Sequence, residues 1–326
     1  MKIVVLDDYA DVFRKSADFP RLKDHEVVVF RDTEKDPDTL AARMKDAAAV
    51  VATQERTEFP RALIEKLPRL ELIAQTGSHR HHFDRAACTE KGILICVAPS
   101  GSTKAYSTAE LTWGLILASV RHIPYEVQQL KQGNWQSTAG TELYGKTLGV
   151  YGLGKIGGMV AEVGRAFGMK VSCWGRESSK EKARKEGYAV PESRAAFFAG
   201  ADVLTLHLFA DEGTRGIVKA ADLACMKPTS LLVNTSRMRL LEDDALVTAL
   251  KQGRPGFAAV DVYEEEPVLE GNHPLLGMPN VLCTPHLGYA VHEKYESFYR
   301  TAIDSIVAFA SGKPINVYNP EALGSR

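Results

Sequence analysis

The chain has 326 residues, 45% hydrophobic and 25% charged, which is the composition of a soluble globular protein with room for two domains at roughly 100–200 residues each. Forty Lys+Arg against forty-one Asp+Glu leave a formal charge of −1, so there is no broad basic field to hold nucleic acid or an anionic membrane surface. Five scattered cysteines, Cys88, Cys96, Cys173, Cys225 and Cys283, show no CxxC spacing and read as free thiols.

Asp7 and Asp8 interrupt the N-terminal apolar run too early for a secretory segment. The longest apolar stretch, Leu111–Val120, is about half of the roughly 20 residues a membrane span needs. A cytoplasmic protein is expected. Short apolar runs then alternate with helical patterns, the signature of βαβ units around parallel sheets. In the first hundred residues strands are predicted at 2–6, 26–30, 49–52, 71–75 and 93–97, with Pro60 in the first turn of a helix over 61–66. A break at VAPSGSTKAYSTAE precedes a long apolar helix over 108–120. A second series of strands follows at 147–151, 170–174, 202–206, 230–234, 257–261 and 281–284. From about Val291 an amphipathic helix runs to Ser311-Gly312 and gives way to an extended tail through Pro314 and Pro320.

The segment KTLGVYGLGKIGGMVAEVGRAFGMKVSCW places Gly152, Gly154 and Gly157 as G-x-G-x-x-G between a strand and a helix. Gly152 permits a tight turn, Gly154 lets the backbone approach a pyrophosphate, and Gly157 lets the helix lie against the sheet. The free N–H groups at the helix start, at Lys155 and Ile156, then face the phosphates. The same turn without a ligand, or an S-adenosylmethionine site, are the competing readings, and downstream residues must decide. About twenty residues on, where an NAD site places Asp or Glu, stands Gly175, followed by Arg176, Glu177, Ser178, Ser179 and Lys180. A guanidinium and hydroxyls in place of a carboxylate favour a 2′-phosphate and hence NADP over NAD, with Glu177 as the counter-evidence.

Three later apolar runs, LLVNTSRMRLLEDDAL, FAAVDVYEEEPV and HPLLGMPNVLCTPHLGY, end in polar residues where a doubly wound sheet presents its ligand crevice. They bring Arg237, Asp261, Glu266 and His286 to one edge. A cation, a carboxylate and an imidazole are the groups needed to bind and protonate a keto acid.

The ordered set GLGKIG, NTSR, DVYEEEP and TPHLG resembles the D-isomer-specific 2-hydroxyacid dehydrogenases, the family of phosphoglycerate dehydrogenase and glyoxylate/hydroxypyruvate reductase, over nearly the whole chain. The resemblance implies two doubly wound α/β domains, a Rossmann nucleotide-binding domain at 103–290 inserted into a flavodoxin-like substrate domain at 1–102 and 291–326. It implies a nicotinamide cofactor, NAD or NADP, a small 2-keto or 2-hydroxy acid as substrate, and a homodimer built by the region from the helix over 108–120 to Trp135. It makes Arg237 the catalytic arginine, Glu266 the partner of the histidine, and His286 the acid/base. Asp261, Thr235, Ser236, Thr214 and His207 carry over as cofactor contacts. The same family includes dinucleotide-sensing corepressors, a binding function that leaves the fold unchanged.

The pattern departs at QTGSHRHHFDRAAC, after the fourth strand, where the family has a glycine-rich loop. Gly77 and Ser78 still suit a turn that takes a carboxylate. His79, Arg80, His81 and His82 replace small residues. They are expected either to add positive charge for a second anionic group or to pack at a helix start. No metal is expected, because nothing downstream supplies further ligands. Lys104 is a further candidate for substrate contact. Met238 and Phe209 stand where the family has glycine and proline.

Overall fold

Residues 1–99 and 106–325 are described in the computed structural model, and among them eleven strands form two all-parallel sheets. The first sheet holds β1 (Lys2–Val5), β2 (Glu26–Val29), β3 (Ala49–Ala52), β4 (Leu72–Gln75) and β5 (Leu94–Cys96) in the order β2-β1-β3-β4-β5. That is the flavodoxin-like order. The second holds β6 (Thr147–Tyr151), β7 (Lys170–Trp174), β8 (Val203–Leu206), β9 (Leu231–Asn234), β10 (Phe257–Val260) and β11 (Val281–Cys283) in the order β11-β10-β9-β8-β6-β7. The chain divides into two compact units, 1–104 with 291–326, and 105–290.

Strand residues alternate between the two faces of a sheet, and a parallel sheet covered on both faces needs both sets apolar. β3 is AVVA and β9 is LLVN, every residue buried. In the first unit Ile3, Val5, Val51 and Leu72 pack under Tyr299, Ile303 and Ile306 of the helix His292–Ala310. Val4, Val50 and Ile73 face Leu40 and Met44 of the helix Pro37–Met44 on the other side. Gly312, at φ +73°, stops the long helix. The chain then returns to β5, where Val317 bridges Cys96. Buried Asn319 accepts from the Ile95 amide at 2.8 Å and donates to the Ile93 carbonyl at 2.9 Å. The tail is therefore extended only at first: it ends as a 3-10 turn, Pro320–Ser325, that buries Ala322. Pro60 also sits one place earlier than expected, capping the helix Arg61–Glu65 with extended backbone.

In the second unit, Val160 and Ala161 of the helix Lys155–Ala166 and Trp113 and Ile116 of the helix Tyr106–Val120 cover one face of the sheet. Phe197, Phe198, Leu223, Leu246 and Leu250 cover the other. Beyond β7 the sheet has one more pairing. Ala189 bridges Ser172 in parallel, donating to the Val171 carbonyl at 3.0 Å and accepting from the Cys173 amide at 2.8 Å. Counted as a vestigial third strand, it turns the order into 3-2-1-4-5-6-7, the Rossmann arrangement extended by one. Among the described residues no helix is long and apolar enough to cross a membrane.

Candidate active site

β6 delivers the chain into the glycine turn. Gly152 lies at φ +96°, its amide donating to the Trp174 carbonyl at 2.8 Å, and a Cβ there would stand 2.6 Å from the His207 carbonyl oxygen. Gly157 tolerates no side chain either: its Cβ would lie 2.0 Å from the Gly152 carbonyl oxygen, so the first turn of the helix rests directly on the strand turn. Gly154 is the N-cap, and nothing lies within 4 Å of the position its Cβ would take. Lys155 and Ile156 are the first helical residues after it, and first-turn amides of a helix have no carbonyl partner within that helix and suit a pyrophosphate. These three positions fit a dinucleotide.

The residues after β7 form the rim of that turn. Gly175 is followed by Arg176, the N-cap of the helix Glu177–Lys185, whose side chain is 77% exposed and 3.8 Å from Asp211. Glu177 turns toward its own helix, to Arg184 at 3.1 Å and Lys180 at 3.5 Å, and Arg184 holds its carboxyl below the usual range. His207 follows β8. Its Nε2 meets the Thr205 hydroxyl at 2.9 Å, while Nδ1 is buried without a partner, and burial pushes the imidazole down to about 3. Thr214 lies in the next loop, but its hydroxyl is engaged there, accepting from the Asp211 amide at 2.8 Å and donating to the Phe209 carbonyl at 2.7 Å. These bonds tie the hydroxyl to its own loop.

Adjacent parallel strands β9, β10 and β11 place three loops side by side at one sheet edge. After β9, Thr235 is buried against the Thr112 hydroxyl at 2.8 Å, and Ser236 donates to the Leu206 carbonyl at 2.8 Å. The Arg237 guanidinium donates to the Ser236 carbonyl at 2.8 Å and is half-buried. After β10, the fully buried Asp261 accepts from the Thr284 hydroxyl at 2.6 Å and from the amides of Leu287 and Gly288 at 2.7 and 2.9 Å. Burial pushes its carboxyl up against those bonds. Its structural effect is to clamp the loop that carries His286, which sits at φ +53°. Gly288 is held a second time, its carbonyl accepting from the Thr108 hydroxyl at 3.0 Å.

Glu266 completes the arrangement. One carboxylate oxygen accepts from the Tyr263 amide at 3.0 Å and the other lies 2.5 Å from His286 Nδ1. Both side chains keep under a fifth of their surface exposed. Tyr263, which sequence reasoning passed over, also donates its hydroxyl to the Thr284 carbonyl at 3.0 Å, so it braces both ends of the pair. Its place two residues after Asp261, inside DVYEEEP, was the available signal.

A glycine-turn sheet with this polar edge has known relatives. A family model for the NAD binding domain of D-isomer specific 2-hydroxyacid dehydrogenases matches residues 113–288. The chain belongs to that family. The glyoxylate reductase of Aeropyrum pernix is 36% identical over 299 residues, which cover 89% of this chain and 88% of that protein. The D-3-phosphoglycerate dehydrogenase of Methanocaldococcus jannaschii is 40% identical over 256 residues, 78% of this chain but only 48% of that one. The crystal structure of an oxidoreductase from Ralstonia solanacearum superposes with a TM-score of 0.92 at 48% identity, covering 99% of this chain and 98% of that one. The chain is therefore a nicotinamide-dependent oxidoreductase of the 2-hydroxyacid dehydrogenase family, acting on a CH–OH group.

In the first unit this dehydrogenase carries its divergent loop after β4. Gly77, at φ +131°, donates its amide to the Gln75 carbonyl at 3.2 Å, and Ser78 is exposed beside it. Each side chain of His79–His82 has a local neighbour in the fold. His81 Nε2 lies 2.8 Å and His79 Nδ1 3.6 Å from the same Glu55 oxygen. Arg80 is drawn over the Tyr318 ring at 4.7 Å, and His82 is buried against Phe83, where burial pushes it down to about 4 and keeps it neutral. A carboxylate from the neighbouring strand's loop thus stands against two of the three histidines. Lys104 lies outside the described residues.

Proposed function

We propose that this dehydrogenase reduces glyoxylate-sized 2-keto acids to D-2-hydroxy acids, with His286 as proton donor, Glu266 as its partner and Arg237 as the substrate-binding cation. The observation that carries the reading is the 2.5 Å contact between His286 Nδ1 and Glu266, on a loop clamped by Asp261. With Nδ1 directed at the carboxylate, Nε2 is the ring nitrogen that gives a proton to the carbonyl oxygen as it becomes an alkoxide. Glu266 stabilises the charged ring before transfer and holds its orientation. The Arg237 fork grips the substrate carboxylate and polarises the carbonyl, a geometry lysine does not reproduce. Reduced nicotinamide, when bound, supplies the hydride to the carbonyl carbon. The amides of Lys155 and Ile156 would hold its pyrophosphate, His207 Nδ1 offers an unpartnered polar atom beside the Gly152 turn, and Asp261, Thr235 and Ser236 would hold the nicotinamide end.

NADP is the preferred cofactor in this reading. Gly175 removes the carboxylate that would repel a 2′-phosphate, Arg176 is exposed at a helix start, and Glu177 is turned to Arg184 and Lys180. The protein is a homodimer in the same reading. Ile123, Tyr125, Leu130 and Trp135, along and after the helix Ile123–Lys131, are exposed apolar side chains, Trp135 at 78%, which a monomer has no reason to present to water.

A screen of small 2-keto acids with NADPH and NADH, followed by absorbance of the reduced cofactor, tests the proposal. Turnover of glyoxylate or hydroxypyruvate, faster with NADPH, is the expected result. Tight dinucleotide binding with no turnover on any acid would replace the enzyme by a sensor of the same fold.

A further inference from the structure

The cluster on the first unit has the composition of a metal site. Glu55 comes from the loop after β3, His79 and His81 from the loop after β4, and one donor atom from each lies within 4.8 Å of the other two. Around a tetrahedral zinc with ligand bonds near 2 Å, neighbouring donors stand about 3.3 Å apart. The two contacts seen, 2.8 and 3.6 Å from the shared Glu55 oxygen, bracket that value.

The frame that holds these donors is built independently of them. β3 and β4 are adjacent and parallel, so their carboxyl ends emerge together. Gln54, at φ +54°, is tied to Thr76 twice: its backbone amide donates to the Thr76 hydroxyl at 2.9 Å, and its side-chain amide donates to the Thr76 carbonyl at 2.5 Å. Gln75 answers across the gap, its side chain donating to the Gln54 carbonyl at 2.8 Å. Further along, the Phe59 amide donates to the His82 carbonyl at 2.8 Å and the Asp84 amide to the Phe59 carbonyl at 3.0 Å. The two loops are stitched on either side of the cluster, so bringing the ligands together costs little ordering entropy on binding. The neighbouring guanidinium is engaged elsewhere, Arg80 lying over the Tyr318 ring at 4.7 Å.

We propose that Glu55, His79 and His81 form a site for a borderline divalent transition metal of the zinc type. Two imidazole nitrogens and one carboxylate oxygen are ligands that zinc, nickel and copper accept and that calcium and magnesium do not select. Three protein ligands leave at least one coordination position for water or a small oxygen ligand. His79 Nδ1 and His81 Nε2 turn lone pairs inward when the ion replaces their contacts with Glu55, and the carboxylate offsets one of its two charges. The proposal does not depend on the roles given to Arg237, Glu266 and His286.

The test uses the full untagged chain, stripped with chelator, titrated with Zn²⁺ by calorimetry and with Co²⁺ by visible absorption. The expected result is one ion per chain, a Co²⁺ spectrum without thiolate charge transfer, and at least about a tenfold loss of affinity in each of Glu55→Gln and His81→Gln. Both side chains reach solvent, so both variants fold. Failure of Zn²⁺ to bind, binding equal in the variants and the parent, or a thiolate-type Co²⁺ spectrum pointing to the free cysteines would each overturn it.

Discussion

Both units of this dehydrogenase are parallel α/β sheets, yet they treat the carboxyl ends of their strands differently. In the second unit the loops after β9, β10 and β11 hold one another, with Asp261 gripping the loop of His286, and Tyr263 bracing Glu266. In the first, the loop after β4 is fixed to its neighbour by glutamine and threonine bonds. The side chains it presents are three histidines and an arginine paired locally with Glu55, Phe83 and Tyr318. The difference separates polar groups held by buried bonds to their own loop backbones from polar groups paired with one another across two loops. The proposed proton transfer needs an imidazole aimed within tenths of an ångström, and the buried bonds that clamp the loop backbone in the second unit suit that need.

That contrast predicts that substitutions at the strand ends of the second unit reach the chemistry. Arg237→Lys should lower kcat/KM for the best 2-keto acid by about 10²–10³ while dinucleotide affinity stays within about twofold, because the ammonium cannot copy the forked contact. Steady-state kinetics and fluorescence titration with the reduced cofactor separate the two effects. Gly157→Ala forces a methyl group to within 2.0 Å of the Gly152 carbonyl unless the helix moves. It should weaken dinucleotide binding at least about tenfold and lower stability by about 1–3 kcal/mol, read by calorimetry and urea unfolding. Arg176→Ala, on the exposed rim, should leave kcat with NADH intact and lower the NADPH-to-NADH ratio of kcat/KM by about tenfold.

The last prediction concerns stability against pH in the absence of dinucleotide. His207 is neutral in the fold because burial pushes it down to about 3, whereas the unfolded chain takes up the proton as pH falls through about 6.5. Its contribution to stability is therefore fully present above that pH and is lost progressively as pH drops toward 3. His207→Asn should flatten the acid limb of the urea midpoint against pH; an unchanged slope would remove His207 from the account.

Much of this was legible before any coordinates. All eleven strands are hydrophobic runs short enough to be buried on both faces, and the glycine turn, NTSR, DVYEEEP and TPHLG are local strings. Three features were not legible, each for a physical reason. The pairing of Ala189 with β7 is a single bridge inside KEGYAVPES, too short to show alternation. The return of Asn319 to β5 is a tertiary contact between residues more than 220 positions apart. Glu55 lies over twenty residues before the histidines it faces, and only the β3–β4 pairing brings them together. A parallel sheet joins the ends of adjacent strands whatever their separation in the chain, so this juxtaposition leaves no local signal in the sequence.

The central claim is that His286, oriented by Glu266, moves the proton in the reaction. Its most direct test is His286→Gln, measured in one preparation for turnover of the best 2-keto acid and for reduced-dinucleotide affinity. The account predicts that kcat falls by about 10²–10⁴ and that affinity is unchanged within about twofold. Turnover retained within tenfold of the parent, with the same cofactor affinity, would contradict it.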